Sequence, residues 1–123
     1  MKNLHPIAAA VLLVAAAFVL EFLFSGCGTP AGVVEVPIQN LQYNPADLTI
    51  SKGTTVRWIN RDQTAHTATS DDFQAGQQNP PTAWDSQPLS PGDTFDQQFD
   101  TVGSFPYHCS IHKYLKGTIT VTE

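Results

Sequence analysis

Cys109 and His112 stand three residues apart in the stretch Gly103-Ser-Phe-Pro-Tyr-His-Cys-Ser-Ile-His-Lys-Tyr-Leu-Lys-Gly117. The first half of that stretch alternates, with Phe105, Tyr107 and Cys109 on one face and Ser104, Pro106 and His108 on the other. A strand of this pattern delivers Cys109 into the end of a core, and a tight loop then brings His112 back. A thiolate and an imidazole at that spacing can converge on one metal ion. A second imidazole, His66, lies upstream in Asn60-Arg61-Asp62-Gln63-Thr64-Ala65-His66-Thr67. One thiolate and two imidazoles in a trigonal set suit copper that carries electrons. Each residue alone has a plainer reading: His66 as a surface histidine on a turn, Cys109 as an inert buried thiol. His108 neighbours Cys109 but alternates to the opposite face, which makes it a surface histidine.

The segment resembles the cupredoxins, above all their plastocyanin, amicyanin and pseudoazurin branch. The residues carrying the resemblance are Tyr107-His108-Cys109-Ser110-Ile111-His112, the turn before His66, and the closing strand Lys116-Gly117-Thr118-Ile119-Thr120-Val121. It spans about residues 33–123. The resemblance implies a Greek-key antiparallel β-sandwich holding one copper ion on His66, Cys109 and His112.

The resemblance also defines a departure. Relatives usually carry an axial methionine where Leu115 stands, and the chain's one methionine is Met1. Leucine cannot coordinate, so the expected site is effectively three-coordinate with a high reduction potential. Lys113 replaces a frequent proline. Thr67 occupies the place of an asparagine that helps hold the cysteine sulfur, and its backbone N–H can serve instead. Asn60 is expected to tie the two ligand-bearing loops together. Ile111, Lys113, Tyr114 and Lys116 surround the outer edge of His112 and form the expected docking patch.

These residues need strands to position them. Val34, Val36 and Ile38 share one face, Leu48 and Ile50 continue after Asn44-Pro45, and Val56 and Trp58 follow Ser51-Lys52-Gly53. Thr64 to Ser70 reads as a further β-type stretch, and Asp93 to Asp100 alternates with Phe95 and Phe99 inward. Residues 71–92 are rich in turn signals and form a long connection, with Trp84 as its anchor. No stretch of the mature domain keeps a helical period. Short strands between turns predict an all-β sandwich.

The N-terminus has a different character. Lys2 precedes an apolar run from Ile7 to Leu20, then come Glu21 and Phe24-Ser25-Gly26-Cys27. That is the plan of an export signal, and its end resembles the bacterial lipobox, in which the cysteine is acylated. The alternative is a retained signal anchor, since Ile7 to Phe24 is just about long enough to span a bilayer with ~20 residues. The expected organisation is a lipoprotein-type signal peptide at 1–26, a tether at 27–32 and the cupredoxin domain at 33–123. A disulfide between Cys27 and Cys109 would join a tether to a core strand, so none is expected.

At 123 residues the chain has room for one core. Beyond residue 26 it keeps 5 basic against 10 acidic side chains, a balance that disfavours nucleic acid as a partner. The sequence thus points to an exported, membrane-anchored, monomeric copper protein on the periplasmic or extracellular face. It would pass single electrons between redox protein partners and would not itself be an enzyme. The alternative is an accessory protein that delivers or senses copper.

Overall fold

The computed structural model describes residues 32–123. The expected signal peptide at 1–26, Cys27 and all of the expected tether at 27–32 except residue 32 lie outside the described residues. Alternation decides the strands. In β1, Val33–Gln39, Val36 and Ile38 are fully buried and Val34 packs at the core's edge. The same logic forms β3, Asp47–Ser51, around Ile50, and β4, Thr55–Asn60, around Val56 and Trp58. It also forms β8, Lys116–Thr122, around Ile119 and Val121. Four more strands complete the set: β2, Gln42–Tyr43; β5, Thr69–Ser70; β6, Thr94–Gln98; and β7, Gly103–His108. No helix occurs among the described residues.

The strands form two four-stranded sheets, ordered β2-β1-β4-β6 and β3-β8-β7-β5. The expected all-β sandwich is therefore present, but its sheets are mixed rather than purely antiparallel. β1 runs parallel to β4, with Val36 beside Trp58, and β3 runs parallel to β8, with Ile50 beside Val121. The cause is the path of the chain. It leaves the first sheet after β2, lays β3 in the second and returns for β4, and such crossovers make neighbours parallel.

Trp58 fills the centre of the core. Its ring lies 6.0 Å from Trp84, 5.9 Å from Phe95 and 5.3 Å from Tyr107. Truncating a tryptophan packed this way costs roughly 3–5 kcal/mol. Trp84 does anchor the long connection: it is buried, and its ring meets Phe99 edge-on at 5.1 Å. The stretch from Thr64 is less regular than its residues suggest. Only Thr69 and Ser70 form a strand, while His66 is held by a two-bond bridge to Leu89.

A tight hairpin that the sequence does not announce joins β1 to β2. Asn40 and Leu41 both have positive φ, 55° and 57°, as a primed two-residue turn requires. Asparagine tolerates this conformation, whereas leucine there is strained by about 1–2 kcal/mol. Tyr43, at the end of the hairpin, sends its hydroxyl back to the Thr67 carbonyl at 2.6 Å. Burial pushes the Tyr43 hydroxyl well above its usual pKa, so it stays a donor there.

Candidate metal centre

β4 and β7 lie in different sheets, and the loops that follow them meet. Asn60 ends β4, and its side chain shapes the next turn by accepting from the Asp62 amide at 2.9 Å. The loop then carries His66, which is fully buried. β7 ends at His108, and Cys109 follows, also fully buried. The return loop closes on itself: the Cys109 amide donates to the Leu115 carbonyl at 3.0 Å, and the Leu115 amide to the His112 carbonyl at 2.9 Å.

This arrangement brings His66, Cys109 and His112 together, with one donor atom from each within 4.8 Å of the others. Nδ1 of His66 lies 3.9 Å from Sγ of Cys109. Bonds of about 2.3 Å to sulfur and about 2.1 Å to imidazole nitrogen, opened trigonally, put those two atoms about 3.8 Å apart. Nδ1 of His112 is buried with no hydrogen-bond partner, a cost that an ion would remove. The sulfur accepts from the amides of Thr67 at 3.3 Å and His112 at 3.4 Å. Two donors aimed at one sulfur fix its place beside the imidazoles. A soft thiolate with two imidazoles is a donor set that fits copper.

The other residues singled out in the sequence take distinct places. Leu115 is buried at the foot of the return loop and offers only hydrocarbon from its side chain. Thr67 reaches the sulfur through its backbone, and its hydroxyl accepts from the Ser110 amide at 2.8 Å. That bond ties the two ligand loops. Asn60 does not make that tie: its Nδ2 donates to the carbonyls of Thr64 at 2.9 Å and Leu89 at 2.8 Å, bracing the His66 loop against the long connection. The difference follows from its position at the strand end, where its side chain faces residue 89. His108 turns away and meets Asp71 through Nδ1 at 2.6 Å.

His112 is half-buried, and exposed side chains surround it in the loop. Ile111 is 47% exposed and Tyr114 67%, and the rings of His112 and Tyr114 lie 6.1 Å apart. Lys113 and Lys116 are exposed as well. Leu41 joins this surface from the β1–β2 hairpin, lining one depression with Tyr114 and Lys116. Sequence reasoning missed it, because nothing in Asn40-Leu41 signals a hairpin.

Asp62 was also missed. Its carboxylate meets Nε2 of His66 at 2.9 Å and the amides of Asn40 and Leu41 at 2.7 and 2.9 Å. Desolvation works against its ionisation, but the bonds from Leu41, His66 and Asn40 together outweigh it and hold its pKa below the usual carboxylate range. Its spacing four residues before His66 was the available signal.

A buried thiolate and two imidazoles at the end of a two-sheet β-sandwich define a cupredoxin-type copper centre. Residues 30–122 match the family of copper binding proteins, plastocyanin/azurin family. The chain is 32% identical over 90 residues to a plastocyanin of Scenedesmus fuscus, covering 66% of this chain and 87% of that protein. It is 27% identical over 101 residues to amicyanin of Paracoccus denitrificans, covering 82% and 74%. Among solved structures, a Cu-containing nitrite reductase from Thermus scotoductus superposes with a TM-score of 0.64 at 31% identity. That match covers 73% of this chain and only 22% of the reductase. The chain belongs to the plastocyanin/azurin family of copper binding proteins.

Proposed function

We propose that this protein is an exported, membrane-tethered electron carrier that uses one copper ion held by His66, Cys109 and His112. The observation that carries the reading is the unequal exposure of the three ligands. His66 and Cys109 are fully buried, whereas His112 is half-buried and flanked by exposed apolar side chains. When bound, copper supplies a one-electron couple. The chain supplies a thiolate held by two amides, two oriented imidazoles and a dry interior, so that little has to move when the charge changes. Electrons then enter and leave across the His112 edge, where Ile111, Lys113, Tyr114 and Lys116 receive donor and acceptor proteins.

No catalytic role is assigned to this chain. It spans 22% of the nitrite reductase it resembles, so the likeness speaks for a shared domain rather than that protein's reaction. Burial of two ligands also weighs against ready release of copper to another protein. Tethering rests on the leader: the apolar run from Ile7 to Leu20 directs the domain to the periplasmic or extracellular face, and acylation of Cys27 anchors it there. There it works as a monomer.

Redox titration of the copper-loaded chain in the presence of a chelator tests the assignment. A carrier cycles one electron per copper reversibly and keeps its metal through repeated cycles. Loss of copper to the chelator on reduction would instead identify a delivery protein.

A further inference from the structure

The carboxylate of Asp62 accepts three hydrogen bonds from two parts of the chain. Asn40 and Leu41 donate from the hairpin tip, at 2.7 and 2.9 Å, and His66 from its Nε2, at 2.9 Å. A carboxylate is acceptor-only, so the ring nitrogen facing it carries the hydrogen, and Nδ1 is the nitrogen left to face a metal. Nδ1 lies on the side of Cys109. We propose that Asp62 is the positioning residue of the metal centre: it fixes the tautomer and angle of His66 and couples them to the β1–β2 hairpin tip. This rests on the copper assignment above.

Several features make the coupling specific. The side chain of Asp62 is only 13% exposed, so water competes weakly for its bonds. The Asn60 side chain holds the Asp62 amide, and the Arg61 amide donates to the Ile38 carbonyl at the end of β1. The loop is therefore braced internally and held to the end of β1 just before the carboxylate. Asparagine would not replace it. Three converging donors would face one acceptor oxygen, and the amide nitrogen would oppose at least one of them. The tip itself needs the clamp, because Leu41 occupies a conformation that suits glycine. Leu41 also borders the surface beside Tyr114. A partner that grips the tip thus reaches a metal ligand through one carboxylate. Electronically, an anionic acceptor makes the imidazole a stronger donor and favours the oxidised metal.

The test compares the full chain with Asp62→Ala, Leu41→Gly and the double variant, because asparagine could still turn its oxygen to His66. In the metal-free wild type, nitrogen NMR should show a hydrogen on His66 Nε2 bonded to the Asp62 carboxylate. Asp62→Ala should populate the Nδ1-protonated tautomer and exchange the Asn40 and Leu41 amides roughly tenfold to a hundredfold faster, as loss of a charge-assisted bond requires. In the copper-loaded protein it should raise the reduction potential. Leu41→Gly relaxes the turn, so the double variant should recover thermal stability while keeping the altered tautomer and potential. Recovery of the wild-type tautomer and potential along with stability would overturn the proposal, because Asp62 would then act only through the turn. An unchanged tautomer in Asp62→Ala would overturn it as well. The metal-free readouts stand even if the chain failed to bind copper.

Discussion

Replacing Asn60 by alanine should loosen the metal centre from behind without touching a ligand. Asn60 is fully buried and makes three hydrogen bonds through its side chain, to Thr64, Leu89 and the Asp62 amide. The Leu89 carbonyl keeps a second donor, the His66 amide at 3.2 Å, so its loss is partial. The Thr64 carbonyl and the Asp62 amide lose the partner that Asn60 gave them. Each such group costs about 1–3 kcal/mol, and the lower end applies here because Thr64 is exposed and Asp62 half-buried. With the small void left by the side chain, the total is about 2–4 kcal/mol. A domain of this size loses roughly 4–8 °C per kcal/mol, so melting should fall by roughly 8–32 °C. Copper affinity should fall in the same variant, since the loop that presents His66 loses its brace. Thermal unfolding of the metal-free chain, paired with a copper competition titration, reads both. A stability loss below about 1 kcal/mol, or full copper affinity in a destabilised chain, would refute the reasoning.

Other consequences concern the loop, the surface and the leader. Leu115→Met should lower the reduction potential and keep the visible colour, because a weak thioether donor favours the oxidised ion and methionine nearly matches leucine in volume; an unchanged or higher potential would mean that residue 115 does not face the metal. Association with a redox partner should slow as salt rises, and more weakly so in Lys113→Gln/Lys116→Gln, as measured by stopped-flow at varied ionic strength. Cys27→Ser should abolish acylation, and either free the domain from membranes or leave its leader uncleaved, with the copper spectrum unchanged, which mass spectrometry and fractionation would check.

Much of the fold was legible because burial follows a period of two wherever one face is dry. Val36, Ile38, Val56, Trp58, Ile119 and Val121 all show it, and all are buried. The parallel pairings were not legible, since local alternation fixes which face a residue takes but not which strand lies beside it. The β1–β2 hairpin was hidden because its turn uses leucine where glycine is the usual sign. At the site, Cys109 and His112 were visible from spacing, and His66 from its place after an Asn-x-Asp turn. The partners around them were harder to read. Asn60 and Thr67 are both polar side chains near the ligands, and only their positions in space assign one to Leu89 and the other to Ser110. Asp62 looked like an ordinary turn residue, because its role depends on a hairpin more than twenty residues away, with the bond to Asn40 spanning 22 positions.

The most direct test of the central claim is a copper titration of the metal-free protein followed by visible absorption. One equivalent should saturate an intense copper–thiolate band, and Cys109→Ser should lack that band while retaining the wild-type β-sheet circular dichroism. A band that survived in Cys109→Ser, or a wild-type chain that stayed colourless with copper bound, would contradict the assignment.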